Sequence, residues 1–516
     1  MTAQPTAVTD ARTLADLLTA LGEVDDRGLY FEDRFLSWRE HLVASTRWSA
    51  VLRGRLDPSR PPHVGVLLPN VPEFSILFGA AALGGMVLVG LNGTRRGQAI
   101  VDDVRRADCQ VVIVSDETAA CLPRLEDVTT INIDDPEWAQ SAASGVAAAE
   151  VTAHPDDLLM LIFTSGTTGA PKAVRCSQRK FAGPGVMLAE RFGLGPTDVA
   201  YLSMPMFHSN ALIAGWSVAV AAGASIVLRR RFSASGFGDD LRRYGVTYAN
   251  YVGKPLQYVL ATPERPDDAD VALRIMYGNE ASAADRAAFQ RRFGVRVVDG
   301  FGSTEGGVSI TRTPDTPDTA LGPLRPPNAI VDPETDAPSP VGRIGEIVNA
   351  AGAGLFDGYY GDDVATAERL RGGMYRTGDL GWVDADGYVY FAGRLGDWLR
   401  VDGENLGTRP IEQILLRHPL IREAAVLGVP AEIGESVGAV LVAPGLTHAS
   451  LDEFLRAQTD LGPKQWPTTV WLADAIPETA TFKTARAALT ASLGEPTWVT
   501  DSSARGGRCS RCHESG

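Results

Sequence analysis

Leu161-Ile-Phe-Thr-Ser-Gly-Thr-Thr-Gly-Ala-Pro-Lys-Ala-Val174 decides how this chain is read. It begins inside Leu158 to Phe163, a continuous apolar run of the length expected for a buried strand in a parallel sheet. The character then changes at once. Thr164, Ser165, Gly166, Thr167, Thr168 and Gly169 are hydroxylated or lack a side chain. Glycine lets the backbone come close to a ligand. Successive N–H groups in such a loop form an anion-binding concavity, and hydroxyls add donors. Pro171 stiffens the exit and Lys172 supplies a positive charge. The composition suits a polyphosphate. The GxxxxGK[ST] spacing of a Walker A loop is absent.

Three further stretches carry chemistry. Val297-Val-Asp-Gly-Phe-Gly-Ser-Thr-Glu-Gly306 sets an aromatic (Phe301), a hydroxyl (Thr304) and a carboxylate (Glu305) among glycines. A nucleotide needs a flat apolar surface for its base, a donor for the α-phosphate and a carboxylate for Mg²⁺. Tyr375-Arg-Thr-Gly-Asp-Leu380 contains Asp379, and one carboxylate can accept both hydroxyls of a ribose. Ile476-Pro-Glu-Thr-Ala-Thr-Phe-Lys-Thr-Ala-Arg486 places Lys483 near the C-terminal end.

Together these motifs, in this order, resemble the adenylate-forming superfamily of acyl-CoA synthetases, adenylation domains and luciferases. The likeness runs from about Tyr30 to Leu489. Within it, Val64 to Arg96, Gly393 to Asn405 and the Thr-Phe-Lys before Thr484 resemble the fatty-acid-transport-protein branch, similar to very-long-chain acyl-CoA synthetases. The resemblance implies an α/β fold: a large layered N-terminal domain with mostly parallel sheets, then a small α+β domain. The expected boundaries are 1–393 for the large domain, 394–500 for a mobile small domain and 501–516 for a disordered polar tail.

Roles follow from the resemblance. Thr164, Ser165, Gly166, Thr167, Thr168, Gly169 and Lys172 would hold the β- and γ-phosphates of ATP. Asp299, Gly300, Phe301 and Gly302 would bind ATP, with Phe301 the flat surface for adenine, Thr304 would donate to the α-phosphate, and Glu305 would hold Mg²⁺. Asp379 and Arg394 would hold the ribose. Gly278-Asn279-Glu280 matches the adenine-side turn, and an ordinary Gly-Asn turn reads equally well there. A lone histidine is more often structural than catalytic, but Phe207-His208 matches an aromatic-His pair beside the reacting carboxylate. Lys483 would bridge that carboxylate and the α-phosphate, then withdraw as the small domain turns about Gly396 and admits coenzyme A. Three positions depart from the broad pattern: Phe301 stands for Tyr, Gly396 for Asp or Lys, and Phe482 for Gly.

The bulk numbers fit. At 516 residues the chain exceeds one ordinary core. Its 48 Lys and Arg against 63 Asp and Glu leave a net charge of −15, unsuited to nucleic acid. Five scattered cysteines form no disulfide framework, and no leader or membrane-spanning run is evident, so a cytoplasmic protein is expected. The expected activity is an AMP-forming acyl-CoA ligase for a long-chain fatty acid or a bulky acid such as a steroid side-chain acid. Glycines 253, 278, 302 and 307 are read as making room for it. Peripheral membrane contact is compatible, and the sequence sets no oligomeric state. Two other readings stand: loading of a carrier protein, and ligand uptake without turnover. Cys509-Ser-Arg-Cys-His513 matches a covalent haem motif, but it lies in the expected disordered tail.

Overall fold

A computed structural model describes residues 12–144, 152–164, 171–395, 398–401, 404–431, 435–478 and 484–499. Ser165, Gly166, Thr167, Thr168, Gly169, Gly396, Lys483 and the 501–516 tail lie outside the described residues.

The chain divides into two compact units: 1–313 with 351–375, and 314–350 with 376–516. The boundary expected at 393/394 falls inside the second unit, at the last residue of the strand Tyr388–Arg394.

The first unit carries two sheets built from the apolar runs seen in the sequence. One has six strands, in the order Thr129–Asn132, Val111–Val114, His63–Leu67, Val87–Gly90, Leu158–Thr164 and Lys172–Ser177. Its first five strands are parallel. Lys172–Ser177 returns antiparallel against Leu158–Thr164, with Thr164 opposite Lys172. The run Leu159–Ile162 is fully buried, as strands covered on both faces require. The other sheet has eight strands, with Arg296–Gly302, Ile275–Asn279, Tyr248–Val252, Val199–Leu202, Ser225–Leu228 and Gly28–Phe31 parallel at its centre.

The helices follow local rules. Pro72 opens the helix Pro72–Gly84 at its first position, where the missing N–H costs nothing, and Gly85 closes it with φ 65°. Ser37 and Glu40 form a reciprocal capping box on Trp38–Arg53. The apolar run from Asn210 to Leu228 is a helix and then a strand, as its composition predicts. Its first part, Ala211–Ser217, is nonetheless wound as a π-helix. Side-chain pattern does not distinguish that winding from an α-helix over so few residues.

The second unit holds a five-stranded sheet, Gly322–Pro323, Tyr388–Arg394, Tyr375–Val383, Gly345–Asn349 and Asn328–Val331. The stretch from Pro314 to Pro340 is rich in Pro, Asp and Thr, a composition that predicts loop, yet it supplies two of these short strands. A separate four-stranded sheet packs with helices Thr408–Leu415 and His448–Ala457 around Ile411, Leu415, Val426, Val437, Leu441 and Leu451. This is the expected α+β arrangement.

Candidate active site

Parallel sheets present their ligand-binding loops beyond the carboxyl ends of the strands. In the first unit the motif residues stand there. Thr164 ends one strand and Lys172 begins the next. The Lys172 ammonium lies over the Tyr359 ring, 5.2 Å from its centroid. Tyr359 donates its hydroxyl to Glu305 Oε1 at 3.0 Å, and Arg369 Nε donates to Tyr359 Oη at 3.3 Å. Glu305 is buried. Burial, with the Glu305 charge beside it, pushes the Tyr359 hydroxyl up to about 12, so it stays a donor at neutral pH. The hairpin of Leu158–Thr164 and Lys172–Ser177, the expected phosphate hairpin, and the carboxylate motif therefore meet through Tyr359.

Thr304 Oγ1 lies 2.8 Å from Ser209 Oγ, which brings the Phe207-His208 turn to the same motif. The two rings of that turn are 4.2 Å apart. The carbonyl of Phe207 lies 2.9 Å from where a side chain on Gly90 would begin, so Gly90 admits this turn. Asn210 donates to the Tyr251 carbonyl at 3.3 Å and to Asn279 Oδ1 at 3.5 Å, and accepts from Asn250 at 2.7 Å. That ties the turn to Gly278-Asn279-Glu280. Glu280 has φ 70°, an uncommon conformation for a residue with a Cβ.

Asp299 is engaged by Tyr251 Oη and by Arg286 Nη1, the latter at 2.9 Å. Burial pushes its carboxyl above the ordinary range, against the pull of both partners. Gly300 sits where a side chain would begin 2.7 Å from the Tyr277 hydroxyl. Phe301 and Gly302 complete the strand Arg296–Gly302, with Phe301 opposite Ile310.

The second unit pairs Asp379 with Arg394. Arg394 Nε donates to Asp379 Oδ1 at 2.8 Å, and the residues are opposite each other in adjacent strands. Behind them, Glu346 Oε2 accepts from Arg376 Nη1 at 2.7 Å, and Oε1 accepts from the Gly378 N–H at 2.9 Å. Asp336 accepts from Arg376 as well.

The glycines read as making room serve other ends in three cases. A Cβ on Gly278 would lie 2.2 Å from the Tyr251 carbonyl oxygen, and one on Gly307 would lie 2.1 Å from the Tyr375 ring. Gly253 has φ 62°. A Cβ on Gly302 would meet no neighbour nearer than 3.5 Å.

Sequence reasoning passed over Tyr359, Arg369, Ser209, Asn210 and Lys180. Tyr359 stood in a visible Gly-Tyr-Tyr-Gly stretch; the others carry no local signal beyond residue type. Among the described residues no group of three His, Cys, Asp or Glu could hold a metal ion. Mg²⁺ needs fewer: it keeps several waters and takes one or two carboxylates together with substrate phosphates. Glu305, a buried carboxylate on the loop that faces the phosphate hairpin through Tyr359, fits Mg²⁺ that arrives with ATP.

Residues 19–360 match the family model of the AMP-binding enzyme, and 410–483 match that of the AMP-binding enzyme C-terminal domain. The chain belongs to the AMP-binding enzymes. Within this family it is 54% identical to a medium/long-chain-fatty-acid–CoA ligase, FadD17, of Mycobacterium marinum, over 94% of this chain and 98% of that protein. It is 41% identical to a steroid-22-oyl-CoA synthetase of Rhodococcus jostii, over 96% and 92%. Among solved structures it resembles ATP-bound MatB from Rhodopseudomonas palustris, with TM-score 0.82 and 25% identity over 92% of this chain and 98% of that one. As an AMP-binding enzyme the chain has the adenylate-forming fold. No helix among the described residues is long and apolar enough to cross a membrane.

Proposed function

We propose that this AMP-binding enzyme is an AMP-forming acyl-CoA ligase for medium- to long-chain fatty acids, with bulky side-chain acids of steroids as the second substrate class to test. The observation that carries the reading is the joined cluster of Lys172, Tyr359, Glu305 and Thr304 at the mouth of the phosphate hairpin. The relatives named above support the substrate class.

A carboxylate is a poor electrophile because its leaving group would be an oxide. Its oxygen therefore attacks the α-phosphorus of ATP, the bond to the bridging oxygen breaks, and pyrophosphate leaves. Charge builds on the polyphosphate and must be met by preorganised donors. Mg²⁺ bound with ATP supplies charge neutralisation there. In this reading Lys172 and the loop from Thr164 to Gly169 hold the β- and γ-phosphates, Thr304 donates to the α-phosphate, and Glu305 holds the metal. His208 stands beside the acid. Gly278, Asn279, Glu280, Gly300, Phe301 and Gly302 frame the adenine, while Asp299 keeps that strand end in place through Tyr251 and Arg286. Asp379 takes the ribose hydroxyls, oriented by Arg394. Lys483 bridges the acid and the α-phosphate, and the segment 394–500 turns about Gly396 to withdraw it. The thiol of coenzyme A then attacks the acyl carbon, AMP leaves, and the thiol proton passes to solvent. We place this chemistry in the cytoplasm, with peripheral contact to the membrane that dissolves the acid.

The test is pyrophosphate release with Mg·ATP and acetate, octanoate, palmitate, a very-long-chain acid or a steroid side-chain acid, each with and without coenzyme A. The expected result is turnover that needs coenzyme A and the longer or steroidal acids. Acyl-adenylate without thioester would instead indicate loading of a carrier protein. Binding of acid without pyrophosphate release would indicate uptake without turnover.

A further inference from the structure

Lys180 lies in the first turn of the helix Gln178–Phe192 and is only 1% exposed. Burying an ammonium is costly unless it is hydrogen-bonded. Its Nζ donates to the carbonyl of Glu305 at 2.8 Å and to the carbonyl of Arg175 at 3.2 Å. Arg175 belongs to Lys172–Ser177, the return strand of the phosphate hairpin. A single ammonium thus ties that strand to the backbone of the carboxylate motif, 125 residues beyond Lys180.

The neighbouring residue makes space for it. Gly306 has φ 74°, and a Cβ there would sit 3.2 Å from Lys180 Cε and 3.2 Å from Leu355 Cβ. Both the backbone conformation and the room for the lysine stem select glycine at 306. No carboxylate lies within ion-pair distance of Lys180 among the described residues, so its charge is spent on holding carbonyl dipoles in register. An apolar residue would fill the same volume without the desolvation cost; what it would lose is the fixed distance between Glu305 and the hairpin.

We propose that Lys180 is a positioning residue for Glu305, clamping the backbone of the Mg²⁺ carboxylate to the phosphate hairpin without itself touching substrate. This rests on the reading of Glu305 as the residue that holds Mg²⁺. Groups that orient a metal-holding carboxylate change metal affinity by about 10–100-fold when removed.

The test compares binding of Mg·ATP with binding of ATP in EDTA, by calorimetry, in the wild-type chain and in Lys180→Met, Lys180→Gln and Glu305→Gln. The preference for Mg·ATP should fall about 10-fold in Lys180→Met and less in Lys180→Gln, whose amide still donates. A role confined to stability would lower the melting temperature and leave that preference unchanged. If Lys180→Met does not fold, Lys180→Gln carries the comparison. An unchanged preference in the Lys180 variants, with a reduced one in Glu305→Gln, overturns the positioning role. An unchanged preference in Glu305→Gln overturns the Mg²⁺ reading of Glu305 and the proposal with it.

Discussion

Tyr359 donates its hydroxyl to Glu305 Oε1 across 3.0 Å, although 54 residues separate the two in the chain. A hydrogen bond to a charged group contributes about 1.5–3 kcal/mol, and its loss is felt most where the acceptor is buried. Tyr359→Phe keeps the ring that faces Lys172 and removes the hydroxyl, which donates to Glu305 and accepts from Arg369. We expect the first unit to unfold at lower urea, by an amount corresponding to roughly 1.5–3 kcal/mol. We also expect pyrophosphate release to slow by about 10-fold. Equal melts and rates for the two proteins would show that Glu305 does not depend on this phenol.

The glycines near the site offer a sharper contrast. Gly278→Ala sets a methyl group 2.2 Å from a backbone oxygen, which cannot move aside as a side-chain end can. Overpacking of this kind costs about 1–3 kcal/mol or more. Gly302→Ala meets nothing closer than 3.5 Å. The expected outcome is a destabilised or insoluble Gly278 variant and a normally folded Gly302 variant, read by soluble yield and thermal melting.

His41 gives a pH dependence. It is fully buried, with Nε2 2.8 Å from Ser75 Oγ and Nδ1 3.4 Å from Ser45 Oγ. Burial pushes its imidazole down to about 4 from an ordinary value near 6.5. Above pH 6.5 the ring is neutral in folded and unfolded chains alike, so it takes nothing from stability there. As pH falls from 6.5 towards 4, only the unfolded chain takes up the proton, and stability is lost through that window. The full effect is about 3 kcal/mol. His41→Gln should flatten the stability profile between pH 4 and 6.5, measured by urea titration at several pH values. An unaltered slope would place the acid sensitivity elsewhere.

Glu346 and Arg376 form a pair whose side chains are 3% and 5% exposed. Removing one partner of a buried pair costs about 3–5 kcal/mol where the other charge is left uncompensated; here Asp336 still pairs with Arg376, so the loss is smaller. In Glu346→Gln the one remaining oxygen cannot accept from both Arg376 and the Gly378 N–H, and Asp379 follows directly. For Glu346→Gln, which keeps the shape, we expect a raised KM for ATP of about 10-fold with the KM for the acid unchanged. A rise in both constants together would indicate general loosening rather than a ribose-side effect.

Much of the fold was legible because its strands are short apolar runs ended by glycine, proline or asparagine. Leu158–Thr164 and Ser225–Leu228 stand where the runs predict. The π-winding of Ala211–Ser217 and the strands within 314–340 were not, since both depend on neighbours distant in sequence. The site divides in the same way. Thr304, Glu305 and Asp379 announce themselves through glycine-rich surroundings. Lys180 and Tyr359 act through contacts made across 125 and 54 residues, and no local pattern encodes a partner that far away. Asp299 was legible as a motif position, but its engagement by Tyr251 and Arg286 was not.

The division of the chain also dictates an order of events at the ribosome. The first unit takes residues 1–313 and then 351–375, so the peptide leaves it and comes back before that unit is whole. Glu305 emerges well before the phenol that caps it. At 5–20 residues per second, the carboxylate spends about 3–10 s without Tyr359 during synthesis. Over that interval the return strand Lys172–Ser177 also lacks its bridge from Val174 to Tyr359 and the acceptor that Gly358 offers to the Arg175 N–H. Nascent chains stalled before residue 358 should therefore be cut by protease within 172–177, and chains stalled well beyond 375 should resist.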